Sequence, residues 1–274
     1  METFHLATRS GPRMAVLHRA RGPARGAVLY APPFAEEMNK SRRMATLQAA
    51  AFAQAGFATL IVDPLGTGDS PGDYEDASWS TWTADLEDAA EWLHREFRGS
   101  LWIWGLRSGC LLASALRNHG PSGSGYLFWQ PVISGRTYLQ QFLRMKVVGD
   151  RTAATDAGTS TVRSLRELIA AGRSLEVGGY TLSAGLATGL EQAELIAPPP
   201  KARIVWIEVT SSEAGSLNPA SHARIEAWRA SGCAIEAEAV HGLQFWQTQE
   251  TTECPALLAR TIALVASGST AAAQ

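Results

Sequence analysis

Residues 100–116, Ser-Leu-Trp-Ile-Trp-Gly-Leu-Arg-Ser-Gly-Cys-Leu-Leu-Ala-Ser-Ala-Leu, carry two different periodicities joined by one short bend. From Leu101 to Leu106 the run is apolar without a break, as a buried strand is. After Ser108 the apolar positions Leu111, Leu112, Ala115 and Leu116 recur at helical spacing. Between them lies Gly105-x-Arg107-x-Gly109, the glycine spacing of a nucleophile elbow. In such a bend a strand turns sharply into a helix and lifts one side chain above the sheet. The glycines relieve crowding around that strained residue. At its apex this chain has arginine, where Ser, Cys or Asp would serve as a nucleophile.

The rest of the chain repeats the strand-then-helix rhythm. Short strands are expected at Thr3–Ala7 and Met14–His18, and continuous apolar ones at Gly26–Ala31 and Phe57–Val62. Helices are expected at Ser41–Gly56, with Gly56 as C-cap, and at Thr81–Phe97. Asp63 to Ser70 is a loop of turn formers in which Asp63 and Asp69 should bond the backbone. A strand at Gly125–Trp129 follows. The alternation then resumes with strands at Arg203–Val209 and Ala234–Val240 and helices at Pro219–Ser231 and Pro255–Ala266. Residues 267–274 read as a frayed tail. Such alternation implies a mostly parallel sheet with helices on both faces, and ligands beyond the carboxyl ends of its strands. Residues 133–200 interrupt the rhythm with helical patches at Thr137–Val147, Ser160–Gly172 and Leu182–Leu195. A structureless loop of that length is improbable. The segment is therefore expected to be a cap inserted into a core formed by residues 1–132 and 201–274.

Composition narrows the function classes. The 274 residues are 46% hydrophobic and 18% charged with a net charge of −2, which gives no electrostatic reason to expect nucleic acid or an anionic membrane as partner. No apolar run is long enough for a bilayer span. The opening Met-Glu-Thr-Phe-His lacks the basic and apolar segments of a secretory signal. Three scattered cysteines suggest neither a disulfide framework nor a metal site, so a reducing cytoplasm is the expected setting. No cofactor is expected. The partner is a small-molecule or acyl substrate, and a homodimer is left open.

Over nearly its whole length the chain resembles the α/β-hydrolase superfamily. The elbow matches, as does Asp63-Pro64-Leu65-Gly66-Thr67-Gly68-Asp69-Ser70, which is similar to that superfamily's D-x-x-G-x-G-x-S turn. The insertion after Trp129 falls where lids are usually placed. Residues 32–44, beginning Pro32-Pro33-Phe34-Ala35-Glu36-Glu37, together with Trp104-Gly105-Leu106-Arg107 and residues 242–250, resemble the second type of exosortase-A-system-associated hydrolases. Those proteins belong to bacteria that sort PEP-CTERM proteins and export exopolysaccharide. The resemblance implies the α/β-hydrolase fold and hydrolysis of an ester, thioester or amide, with no particular substrate.

The candidate site departs from the superfamily pattern. A guanidinium does not deprotonate at workable pH, so Arg107 is no nucleophile. It can bind an anion at a helix N-terminus, or pair with Glu36 or Glu37. Ser108 is the runner-up nucleophile, one residue past the apex, and equally a helix N-cap. Pro32-Pro33 has no N–H to donate, so an oxyanion hole on that side must begin at Phe34 or later. One of the two glutamates is a general base if burial raises its pKa. The acid position falls at Glu213, with Glu208 in the strand as alternative. Gln244 stands where the superfamily carries its histidine, and His241 is three residues early. A shifted triad would be Ser108, His241 and Glu213. Arg107, Glu36, Phe34, Gln244 and Trp246 are the expected ligand-binding residues. Trp129, Phe245 and Trp246 are expected to wall an apolar pocket, while Cys110 reads as a small core residue. A catalytically degenerate protein binding an anionic or acyl ligand, or a partner protein, is the alternative function.

Overall fold

The structure is a computed structural model that describes residues 1–97, 99–117, 124–152, 160–212 and 215–267. The chain opens with the antiparallel hairpin β1 (Glu2–Thr8) and β2 (Gly11–His18). It continues through β3 (Gly26–Ala31), α1 (Glu36–Gln54), β4 (Phe57–Val62), α2 (Trp79–Glu96) and β5 (Ser100–Leu106). Next come α3 (Gly109–Ala115), β6 (Gly125–Trp129), α4 (Gly135–Thr152), α5 (Val162–Ala170), the small hairpin β7 (Leu175–Val177) and β8 (Tyr180–Leu182), and α6 (Ala184–Gln192). The chain closes with β9 (Arg203–Thr210), α7 (Pro219–Ala230), β10 (Ala234–His241) and α8 (Pro255–Ser267). Eight strands form one sheet in the order β1-β2-β4-β3-β5-β6-β9-β10, antiparallel at β1-β2 and β2-β4 and parallel from β4 onward.

Strand alternation sorts the core into two layers. Val28, Tyr30, Trp102, Trp104, Leu127, Trp129, Val205 and Ile207 face α1 and α8, where Met44, Phe52, Leu257 and Val265 meet them. Their neighbours Ala27, Leu29, Ile103, Tyr126, Phe128 and Trp206 face the opposite layer, with Leu86 and Leu93 of α2 and Ile225 and Trp228 of α7. Continuously apolar strands are what a sheet buried on both faces requires.

The expected elements are present, most with ends moved by one to three residues. The exceptions are α4, which runs on to Thr152 rather than Val147, and α1, which begins at Glu36 rather than Ser41. Its N-cap, Ala35, has φ +51° and makes no side-chain cap bond, so no capping residue marks that start. The C-cap is Ala55 rather than Gly56, which follows it with φ +88°. Within 133–200 the three helices are joined by the β7–β8 hairpin, which the helical patterns hid. The neck of this segment is closed by a bridge between Ser134 and Glu194, with Gly135 N–H donating to Ala193 and Leu195 N–H to Ile133 at 2.9 Å each. The tail expectation for 268–274 and the acid position Glu213 lie outside the described residues.

The loop from Asp63 to Ser70 is held from beneath. Asp63 Oδ2 accepts the Asp69 N–H at 3.2 Å and its other oxygen pairs with Arg42 at 3.0 Å, whereas no side-chain bond of Asp69 contributes. A fully buried pair, Arg13 with Asp85 at 2.7 Å, fastens β2 to α2. Asp85 also accepts the Leu65 N–H at 3.0 Å, tying in the same loop.

Candidate functional site

The sharp bend after β5 is built as its glycines require. Arg107 has φ +54°, a left-handed conformation that costs a non-glycine residue about 1–2 kcal/mol. Its backbone is held on both sides: its N–H donates to Trp129 at 3.0 Å, and its carbonyl accepts from Cys110 at 3.0 Å and Val132 at 3.2 Å. A Cβ at Gly105 would lie 2.6 Å from the Cys110 Cα. One at Gly109 would overlap the Ala31 carbonyl oxygen and lie 2.6 Å from that of Pro32. Both positions therefore exclude any side chain, and the apex projects above the sheet.

What projects there is an arginine in an organised cage. Arg107 Nε lies 3.2 and 3.3 Å from the two oxygens of Glu37, and Nη2 lies 3.2 Å from Oε1. The guanidinium carbon stands 5.7 Å from the ring centre of Tyr138 and 5.5 Å from that of Trp246, within cation–π range of both. Tyr138 in turn donates its hydroxyl to Glu37 Oε2 at 2.9 Å. Burial pushes the Glu37 carboxyl above its ordinary range, opposed by the Arg107 charge and the Tyr138 hydrogen bond. Burial and the Glu37 charge together raise the Tyr138 phenol well above its usual value, so the phenol stays a donor. Nη1 of Arg107 has no acceptor among the described residues.

Two cavities meet at this cage. One of about 360 Å³ is lined by Phe34, Glu36, Lys40, Phe142, Met145 and Trp246 around Arg107. The other, about 330 Å³, lies toward Gln130, Ser134, Thr137, Glu208, Asn218 and Ser221. Arg107, Tyr138 and Gln141 line both. The first combines an aromatic and aliphatic wall with a polar side made of Glu36, Glu37, Lys40, Arg107, Gln141 and Gln247.

The remaining candidates are dispersed. Ser108 sits at the N-cap position of α3 but makes no capping bond. It is 1% exposed, and its Oγ accepts the Phe34 N–H at 2.9 Å. The Phe34 N–H, the first donor after Pro32-Pro33, is thus already satisfied by a side chain. Phe34 is buried in an aromatic cluster with Tyr74, Trp82, Tyr138 and Phe142. His241 is exposed at the end of β10 and outside both cavities, and no hydrogen bond links it to Ser108 among the described residues. Glu208 is buried in β9, its oxygens accepting from Trp206 Nε1 at 3.1 Å and the Asn218 N–H at 2.7 Å. Glu36 pairs with Lys40 at 3.0 Å, leaving Glu37 as the partner of Arg107. Gln244 lies outside both cavities. Of the three aromatics expected to wall a pocket, only Trp246 does. Trp129 is buried with its Nε1 on Thr261 at 2.9 Å, and Phe245 packs against it. Cys110 is core, as its sequence context implied.

Tyr138 and Gln141, which line both cavities, are among the site residues that sequence reasoning missed, as are Phe142 and Met145. All four come from α4, in the segment between β6 and β9. Their three- and four-residue spacing on one helical face was the available signal, but nothing in the sequence told which face of α4 meets the bend.

The strand order, the parallel sheet covered on both faces and the glycine-relieved bend after β5 together define the α/β-hydrolase fold. Solved structures agree. Est1E from Butyrivibrio proteoclasticus, solved with ferulic acid bound, superposes with a TM-score of 0.66 at 13% identity over 96% of each chain. A thermostable carboxyl esterase from Bacillus coagulans, in complex with glycerol, gives 0.66 at 16% identity over 96% of this chain and 97% of the other. The α/β hydrolase GrgF from Penicillium sp. sh18 gives 0.58 at 16% identity over 96% and 97%. The family model for X-Pro dipeptidyl-peptidase (S15 family) matches residues 19–136, the part of the fold from the end of β2 through the bend to the start of α4. No curated protein sequence matches the chain. Among the described residues no helix is long and apolar enough to cross a membrane, and no group of three or more His, Cys, Asp or Glu is placed to hold a metal ion.

Proposed function

We propose that this α/β-hydrolase-fold protein binds an acyl compound bearing an anionic end, and that Arg107 is the group that recognises it. The observation that carries this reading is the apex itself. The position that projects into the site holds a guanidinium clamped between Tyr138 and Trp246, with one nitrogen unpaired among the described residues. The apolar walls of the larger cavity, Phe34, Phe142, Met145 and Trp246, suit an acyl or aromatic tail. Residues 133–200 serve as a cap, contributing Tyr138 and Phe142 to that wall. The resemblance to the exosortase-associated group suggests that the ligand belongs to cell-surface polymer production, handled in the cytoplasm without a cofactor.

A second reading keeps turnover: an ester, thioester or amide hydrolase in which Glu37 acts as general base, or in which Ser108, His241 and Glu213 assemble on ligand binding. It is favoured by the raised Glu37 carboxyl and by the intact strand-to-helix bend.

Titration of decanoate into the wild type and into Arg107→Ala separates the readings, run beside a screen of p-nitrophenyl and thioester substrates. The proposal expects saturable binding that weakens by about 10- to 100-fold in the variant, the equivalent of about 1.5–3 kcal/mol for hydrogen bonds to a charged group. It also expects no turnover. Hydrolysis that survives Arg107→Ala but is lost in Ser108→Ala and His241→Ala would overturn it.

A further inference from the structure

Arg107 already holds a carboxylate. Glu37 occupies its Nε and Nη2 and takes a third hydrogen bond from Tyr138, the arrangement a ligand carboxylate would need. Resting on the reading of Arg107 above, we infer that Glu37 is an internal stand-in for the ligand's carboxylate, displaced on binding and taking up one proton as it leaves Arg107.

The argument is one of charge. The groups that face Glu37 are Arg107 from the bend, Tyr138 from α4, Tyr30 from β3, and Glu36 and Lys40 from its own helix. Lys40 is engaged with Glu36 at 3.0 Å, which leaves Arg107 as the cation in contact with Glu37. The Arg107 and Glu37 side chains are each only 16% exposed. An arriving carboxylate that took the guanidinium would leave two anions beside one cation in a largely buried site. Like charges so close do not both stay ionised. The carboxyl that gives up its ion pair takes a proton from solvent and becomes neutral, so one proton is bound per ligand. A carboxyl whose titration burial already raises needs the smaller push.

By linkage, ligand and proton help each other to bind. Affinity is therefore greatest on the acid side, and Kd rises by up to about tenfold per pH unit once Glu37 is ionised in the free protein. The test is calorimetric titration of decanoate between about pH 6 and pH 8, in buffers of different ionisation heat, with wild type, Glu37→Gln and Tyr138→Phe. The inference expects uptake approaching one proton in the wild type. Glu37→Gln should show no uptake, a flat pH profile and binding at least about tenfold tighter at the alkaline end. Tyr138→Phe, which weakens the hold on ionised Glu37, should move the wild-type profile toward higher pH, and it serves if the glutamine variant fails to fold. Binding without proton uptake and with the same pH profile in all three proteins would overturn this inference while leaving Arg107 as the ligand's seat. No binding to any of the three would overturn the reading beneath it.

Discussion

Replacing Ser108 with alanine distinguishes a structural hydroxyl from a catalytic one. Ser108 and Phe34 are each 1% exposed, and the serine Oγ accepts the Phe34 N–H at 2.9 Å. Alanine at position 108 removes the acceptor and leaves that N–H buried without its side-chain partner. Leaving a buried donor unsatisfied costs about 1–3 kcal/mol. In a chain of this size each kcal/mol lowers Tm by about 2–4 °C, so the variant should melt about 2–12 °C below the wild type. Decanoate affinity should change by much less than it does in Arg107→Ala, because the guanidinium and its contacts with Glu37 and Trp246 are kept, although Tyr138 loses its Ser108 neighbour. The assays are a thermal melt followed by circular dichroism, a decanoate titration and an ester screen on the same preparations. An unchanged Tm together with abolished ester turnover would refute the reasoning, for it would mean that the hydroxyl acts on substrate rather than on the Phe34 amide.

Three further outcomes follow from the same geometry. Gly109→Ala should destabilise by at least the ~1–3 kcal/mol usual for an added methyl in a packed core, because the obstacles are the backbone oxygens of Ala31 and Pro32; urea unfolding measures it. Asp85→Asn should cost about 3–5 kcal/mol, seen as a lowered urea midpoint, since it strands the buried Arg13 charge and weakens the bond from Leu65 N–H. The Glu37 carboxyl titrates above its ordinary 4.5 in the folded protein, so its contribution is fully present below that value and is lost as pH rises through the folded one. Wild-type stability relative to Glu37→Gln should therefore fall as pH rises above 4.5, and a difference that instead grew with pH would contradict the direction of the shift.

The fold was readable because its signals are local. The apolar runs at β3, β4 and β6 match their strands residue for residue, and Gly105 and Gly109 announce the bend through the space they must leave empty. The start of α1 was not readable from a cap, since Ala35 carries no capping side chain, and the one signal present, the acidic first turn of Glu36 and Glu37, was passed over. At the site, Arg107 was legible as an anomaly at a position whose geometry is dictated by its neighbours. Its choice of Glu37 over Glu36 was not, because adjacent residues on a helix point about 100° apart and only the packed register selects between them. Tyr138 reaches the site through tertiary packing of α4, which no spacing in the chain encodes. Ser108 does take the N-cap position of α3, but its side chain makes no capping bond, for a related reason. A partner 74 residues away, the Phe34 N–H, claims its hydroxyl.

The most direct measurement is a crystal structure of the protein with decanoate bound. The account predicts the carboxylate within about 3 Å of the Arg107 guanidinium, its tail between Phe34, Phe142 and Trp246, and Glu37 turned away from Arg107. A decanoyl group attached to Ser108 Oγ, or a ligand seated elsewhere with the Arg107–Glu37 pair intact, would contradict it.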